Sequence, residues 1–432
     1  MDPNVLLLLA FAALLVIGTP IAVALGVAGA IGIVIGLDLT ALAMVGTNTY
    51  NAVAKYPLIA IPLFILTGMV FERSGVASRL VVFAQAIVGP RRGGLALVAI
   101  LVCLIMGGMS GSGVADAAAV ATVMLPSMLK AGYPKPFSAS VIAASAATAI
   151  LIPPSIALIV YAILVPGVDL RALFAAGLLP GLLVGAAIAV PTMILSRKHD
   201  FGANEGFERP PFWESLYRAL PGLMAPVIIL GGLRSGLFTP TETAVVAAVY
   251  GLIVGTVLYR NMGVADVYRT FVDAAKISGV LMLIISLAGL FAWAGSTMGA
   301  FRAAADLIIS LSDSEWITLL VVMALLLLAG MVLDGVSIFL ITIPLLVPVM
   351  QAFGWSQVWF GVVMAINIAI GQVTPPVAVN LMVTAKVADV PMEATFRWVF
   401  WLVLSMVVAL ALVIVFPEIA LWLPRVLGYR VS

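Results

Sequence analysis

The chain has 432 residues, of which 64% are hydrophobic and only 9% charged, with a formal net charge of +2. Soluble domains carry about 25% charged residues, so a water-soluble globule is excluded and lipid is the solvent for most of the surface. One cysteine, Cys103, and one histidine, His199, exclude a disulfide framework and a Cys/His metal centre.

The chain opens "MDPNVLLLLAF". It has no basic n-region, so a first transmembrane helix is expected here and not a cleaved signal. Apolar stretches predicted to span, or nearly to span, follow at 4–36 (split near Gly18-Thr19-Pro20) and 57–72. The stretch 94–129 is bounded by Arg91/Arg92 and Lys130/Lys135 and interrupted by "GGMSGSG" at 107–113. Its first arm, 94–108, is about 22 Å long as a helix, short of a roughly 30 Å hydrocarbon core. A re-entrant hairpin with a Gly/Ser tip is the economical reading; two full spans with a tight outer turn are the alternative. The stretch 135–165 contains "TAILIPPSIAL", and 173–195 is a further span. The charged segment 196–220 then joins two halves.

In the second half, apolar stretches lie at 221–259 (split near 234–240), 277–298, 315–350, 355–387 and 397–423, with a shorter polar segment at 259–270. The stretch 315–350 turns at "GMVLDGVS", and 355–387 contains "GQVTPPVAVNL". Proline inside a helix removes a backbone donor and clashes with the preceding turn. Each proline pair is therefore expected to break a buried helix and to free carbonyls near Thr148–Leu151 and near Gly371–Thr374.

The halves repeat at an offset of 222 residues. Gly108 falls on Gly330, Gly113 on Gly335, Pro126 on Pro348, Gly132 on Gly354, and Pro153-Pro154 on Pro375-Pro376. Thr19-Pro20 matches Thr239-Pro240 at a nearby offset. Five spans per repeat, an odd number, invert the second half. Placing 196–220 in the cytoplasm leaves only Lys55, Arg171, Arg234, Arg302, Arg425 and Arg430 of the 21 basic residues outside. Both termini are then expected on the periplasmic side. The expected fold is an all-α polytopic membrane protein made of two inverted-topology repeats with re-entrant hairpins and broken helices, a recurring transporter plan. Repeat 1 is 1–196, with scaffold helices 1–90, hairpin 94–130, broken helix 135–165 and helix 173–195. A cytoplasmic loop covers 197–220. Repeat 2 is 221–432, with scaffold helices 221–314, hairpin 315–350, broken helix 355–387 and helix 397–423.

Irregular backbone at membrane depth is tolerated only where protein or a polar cavity satisfies it. Freed carbonyls, with the hydroxyls of Thr148 and Thr374, suit a desolvated monovalent cation such as sodium; a kink for packing is the plainer alternative. Asp334, at a hairpin tip, is a functional candidate because a carboxylate at bilayer depth is costly. Asp116 and Glu242 read more simply as helix-start carboxylates, and His199 as a solvated side chain. Ser145, Ser155, Tyr161, Asn367, Gln372 and Asn380 are further polar groups on the broken helices, able to bind solute or to bridge helices. A proton-conducting subunit would need a line of ionisable residues across the membrane, and an enzyme a triad or metal cluster; neither pattern is present.

The segment 106–162, from "MGGMSGSGVADAAA" to "ILIPPSIALIVYA", resembles the large membrane subunit of tripartite ATP-independent periplasmic (TRAP) transporters, the DctM type. "GLFTPTETAVVAAVYG" (236–251) and "GQVTPPVAVNLMVTAKVADVPM" (371–392) resemble the same family, and the similarity runs from "IGTPIAVALG" to the final helix. The resemblance implies an elevator-type fold: a moving domain of hairpins and broken helices, and a scaffold with arm helices near 74–90 and 299–314. It implies sodium-coupled import of an organic acid, such as a C4-dicarboxylate or sialic acid, across the bacterial inner membrane. It also implies two partners, a periplasmic substrate-binding protein and a small four-helix membrane subunit. That subunit is expected as a separate chain, because this one starts directly at its first helix. Carried over residue by residue, one sodium site joins Ser110, Gly111 and Ser112 with Thr148, Ile152 and Pro153. A second joins Leu333, Asp334, Gly335 and Ser337 with Gly371 and Thr374. Ser155, Asn367, Gln372 and Asn380 are the expected solute contacts.

Overall fold

The structure, a computed structural model, describes residues 3–203, 209–310 and 314–431. The described residues hold eight helices long and apolar enough to cross a bilayer. The first half opens with α1 (Pro3–Val16) and α2 (Ile21–Gly36), which meet at Gly18-Thr19-Pro20. The predicted spans 4–18 and 19–36 thus form helices of 14 and 16 residues, about 21 and 24 Å long. Asp38 caps the following 3-10 turn, Leu39–Ala43. Hydrogen bonds from the Thr40 hydroxyl and the backbone N–H groups of Ala41 and Thr40 hold its carboxyl below the usual range. Next come α3 (Met44–Val53), α4 (Ala60–Arg73) and α5 (Val76–Val88). The first hairpin is α6 (Gly94–Ser110) and α7 (Gly113–Lys130), followed by α8 (Lys135–Ala146), α9 (Ile156–Leu164) and α10 (Leu170–Lys198).

The second half repeats this order. It runs α11 (Phe212–Ser235), α12 (Pro240–Ile253, prolonged by a wider turn to Leu258), α13 (Val264–Met298) and α14 (Ala300–Ser310). The second hairpin is α15 (Glu315–Gly330) and α16 (Gly335–Phe353). Then follow α17 (Gln357–Gly371), α18 (Val379–Ala388), α19 (Phe396–Val415) and α20 (Glu418–Val426). Helix α13 does in one piece what α3 and α4 do in two. Helices α5 and α14 fall within the stretches expected for the arms, and residues 311–313 of the second stretch lie outside the described residues.

Matching local chemistry ends matching elements. Gly132 and Gly354 both adopt positive φ, +85° and +66°. The next N–H groups, of Tyr133 and Trp355, reach back to the carbonyls of Met128 and Met350 at 3.1 and 3.0 Å. This is a six-to-one helix stop that glycine permits, placed once per half, 222 residues apart. At the α11–α12 joint, Thr239 and Glu242 form a reciprocal capping box, with Pro240 at the first helical position. Glu242 is thus a helix-start residue, as the sequence suggests.

Two expectations need correction. Helix α11 begins at Phe212, so the end of the expected loop is helical, while residues 204–208 of that loop lie outside the described residues. His199 is not a free solvated side chain. It stacks on Phe201 and meets Trp398 edge-on, in a cluster that also takes in Phe137. That cluster ties the C-terminal end of α10 to the start of α8 and of α19.

The innermost helices are the broken ones. Every residue of α17 from Val358 to Gly371 is buried, as is every residue of α8 from Phe137 to Ala146. Helices apolar on all sides belong in such a place. Helix α10 packs on α17, α19 and α20, so α10 and α19 side with the hairpins and broken helices. The outer group interlocks the halves, α2 against α13 and α4 against α12. Arg73 of α4 joins it across the halves by an ion pair to Asp273 (2.7 Å) and a hydrogen bond to the Thr270 hydroxyl (3.2 Å).

Candidate functional site

The two hairpin tips and the two helix breaks meet. Helix α6 ends at Gly111 with φ +61°, and Ser112 caps α7, accepting a bond from Ala115 N–H. The second tip turns at Met331–Asp334, and Asp334 caps α16. Its carboxylate accepts from the N–H groups of Val336 (3.1 Å) and Ser337 (3.3 Å) and from the Ser337 hydroxyl. Ser110, Gly111, Ser112, Gly113, Asp334 and Gly335 line one cavity of about 190 Å³, with Gln372 at its wall. Full spans with outer turns would set these tips on opposite membrane faces, because the halves are inverted. Their convergence is the geometry of re-entrant hairpins entering from opposite sides.

Glycine lets each hairpin approach its broken helix. A Cβ on Gly107 would lie 2.8 Å from Ala149 Cα, and one on Gly330 would lie 3.1 Å from Gly371 Cα. Gly113 and Gly335 face the space between halves. A Cβ on Gly113 would lie 2.9 Å from Asn380 Nδ2 and 3.4 Å from Gln372 Oε1. A Cβ on Gly335 would lie 3.2 Å from Gln372 Nε2. Gln372 is therefore wedged between the two tips. Its Oε1, and both polar atoms of Asn380, are buried with no hydrogen-bond partner among the described residues. An unsatisfied buried group costs about 1–3 kcal/mol, so these amides are donors and acceptors in need of a ligand.

The breaks open as the proline pairs require, and both Pro-Pro bonds are cis. After a 3-10 turn at Ala147–Ile150 the first helix restarts at Ile156. The carbonyls of Leu151, Ile152, Pro153 and Pro154 accept no hydrogen bond from the described residues. In the second break the carbonyls of Val373, Thr374, Pro375, Pro376 and Val377 are likewise unused. The N–H groups of Val377 and Ala378 both donate to Met331 O, at 3.3 and 3.2 Å, which pins the second break to the second tip. The carbonyl of Pro154 presses against Gly111, doing the same for the first pair. A donor set of free carbonyls and hydroxyls, with one carboxylate, suits a hard monovalent cation. No group of three His, Cys, Asp or Glu able to hold a metal occurs among the described residues.

Not every expected ligand faces this space. Thr148 is fully buried behind the wall; its hydroxyl donates to Ser145 O (2.6 Å), and its carbonyl accepts from Leu151 and Ile152. The hydroxyl of Thr374 donates to Ile370 O (2.6 Å), and Gly371 O accepts from Thr374 N–H. Ile152 meets the first hairpin through Gly108, whereas Pro153 lines a separate hollow beside Phe174 and Leu233. Leu333 and Ser337 flank Asp334 without lining the cavity.

Two expected solute contacts are corrected. Ser155 caps α9 and donates to Ile150 O at 2.6 Å. Asn367 donates to Met323 O of α15 at 2.9 Å. Both are committed to helix–helix contacts away from the cavity. Sequence polarity alone does not reveal which face of a broken helix points inward.

The structure adds residues that sequence reasoning missed. Gly68 of α4 lies against the tip backbone, where a Cβ would sit 2.9 Å from Ser110 O. Asp116, in the first turn of α7, is 1% exposed, and its Oδ2 has no partner among the described residues. The sequence marks Asp116 as a helix-start carboxylate, and only the fold shows that it is enclosed.

Comparison with known proteins places this geometry. The family model for the DctM component of the tripartite ATP-independent periplasmic transporter matches residues 8–419. The chain is 38% identical over 404 residues to the C4-dicarboxylate TRAP transporter large permease protein DctM of Pseudomonas aeruginosa, covering 94% of each. It is 35% identical over 403 residues to the 2,3-diketo-L-gulonate TRAP transporter large permease protein YiaN of Escherichia coli, covering 93% of this chain and 94% of that one. Among solved structures, the YdaH transporter of Alcanivorax borkumensis superposes with a TM-score of 0.65 over 97% of this chain and 100% of that chain, at 16% identity. At that identity the likeness is one of fold.

Proposed function

This chain belongs to the DctM family of tripartite ATP-independent periplasmic transporters, a family of membrane permeases and not enzymes, and from that premise we propose that it imports an organic acid driven by sodium. The observation that carries the reading is the convergence of two inverted tips and two opened helices on one cavity. One ion sits between Ser110–Ser112 and the carbonyls freed at Ile152–Pro154. The other sits between Asp334 and the carbonyls freed around Thr374. Gln372 and Asn380, with unspent amides beside both tips, take the solute's polar groups. The solute is a carboxylate; relatives are named for C4-dicarboxylates and for 2,3-diketo-L-gulonate.

The mechanism is of the elevator kind. Hairpins, broken helices, α10 and α19 move as a body against the outer group that α4, α12 and α13 build. A periplasmic substrate-binding protein delivers the acid, and a small four-helix membrane subunit in a separate chain completes the scaffold. The protein sits in the bacterial inner membrane with both termini periplasmic. The test is uptake of a radiolabelled acid into proteoliposomes holding the chain, its small subunit and its receptor. Uptake is expected only with an inward sodium gradient, and equal uptake without one overturns the coupling.

A further inference from the structure

The crevice that holds the tip cavity continues. Helix α9 lines that cavity with Ile156 and Ala157, then presents Val160 and Ile163 to a second one. Helix α16 does the same with Val336 and then Leu340, and α13 with Leu281 and then Gly289. At 1.5 Å per residue these steps place the second cavity roughly 5–12 Å further along the same three helices. Its volume is about 270 Å³, and a dry cavity of about 150 Å³ already takes a benzene ring.

Its walls are apolar except on one side. There α3 and the residues after it supply Asn48, Asn51 and Lys55. Helix α3 is held in place: Ala52 abuts Gly289, and Ser286 Oγ donates to Thr49 O at 2.9 Å. The Asn48 amide donates to Met44 O at 3.0 Å. Lys55 makes no hydrogen bond or ion pair with any described residue. A free ammonium beside an apolar chamber matches a ligand with an anionic head and an apolar body. The tip cavity differs, since among its described lining residues the only charge is Asp334.

We propose that this second cavity binds a carboxylate carrying an apolar body, such as an aromatic or medium-chain acid, with its head on Lys55 and its body between α9, α13 and α16. This is a site separate from the transport site. An occupant would wedge between α13 and the α9–α16 pair and slow uptake; only that consequence rests on the reading of the tip cavity as the transport site.

The probe is 4-(trifluoromethyl)benzoate, followed by fluorine NMR with the full chain in zwitterionic nanodiscs and protein-free nanodiscs as the partition control. Saturable, protein-dependent broadening without sodium is expected, with the corresponding benzyl alcohol bound about tenfold more weakly, the value of one charge-assisted contact. Lys55→Gln should weaken the acid about tenfold, Lys55→Arg should restore it, and Leu340→Trp should abolish it by filling the chamber. Melting temperature checks that each variant is folded. Equal binding of acid and alcohol, or no effect of Lys55→Gln, overturns the proposal in favour of a lipid-tail pocket. Binding that needs sodium and is lost in Asp334→Asn places the probe in the tip cavity and also overturns it. A failure of sodium-driven uptake leaves this binding result untouched, so the two readings fail separately.

Discussion

Asp334 illustrates how one side chain serves two ends. Its carboxylate caps α16 through two backbone N–H groups and the Ser337 hydroxyl, and it also lines the cavity between tips. An asparagine cap is about as good as an aspartate cap, whereas alanine loses about 1 kcal/mol. Asp334→Asn therefore keeps the helix start and removes the charge. We predict that this variant melts within a few degrees of the parent yet loses sodium-driven uptake by an order of magnitude or more. Near-normal sodium dependence would make the residue a cap and nothing else. At this scale the sequence was readable where backbone demanded it: the tip glycines and proline pairs have no substitute. It was unreadable where only orientation decides, which is why Ser155 and Asn367, polar and buried, turned out to serve neighbouring helices.

Elements in this chain are set by where helices stop. The six-to-one stops at Gly132 and Gly354, the capping box at Thr239, and the turns at Gly111 and Asp334 divide apolar runs that hydropathy alone would join. The repeat of 222 residues was legible because glycine and proline mark those stops. The start of α11 at Phe212 was not, because a charged amphipathic turn looks like a loop. Close packing then joins the elements. Gly371 fits against Gly330 so tightly that a Cβ would lie 2.6 Å from the Gly330 carbonyl carbon. Overpacking of this kind costs about 1–3 kcal/mol. Gly371→Ala should lower the thermal midpoint of the purified protein clearly. Gly46→Ala in α3, where nothing lies within 4 Å, should leave it unchanged or raise it. Equal midpoints for the two variants would mean that the hairpin does not seat on its broken helix as described.

On the scale of the whole molecule, inversion does the organising. Two halves of like element order interlock through α2–α13 and α4–α12 and through Arg73–Asp273, while their hairpins converge from opposite sides. Each half alone would carry one tip and one break. Together they enclose a cavity whose polar groups, Gln372 foremost, come from between the tips. Freed carbonyls and a single carboxylate favour a small monovalent cation, and the unspent amides favour an oxygen-rich solute. The most direct measurement of this account is thiol labelling of both tips, with Cys103→Ala as the background and Ser112→Cys or Val336→Cys as the reporters, in reconstituted membranes. Sodium together with the transported acid is predicted to slow labelling at both positions alike, from the same accessible side of the membrane. Labelling of the two tips from opposite sides, indifferent to sodium, would contradict it.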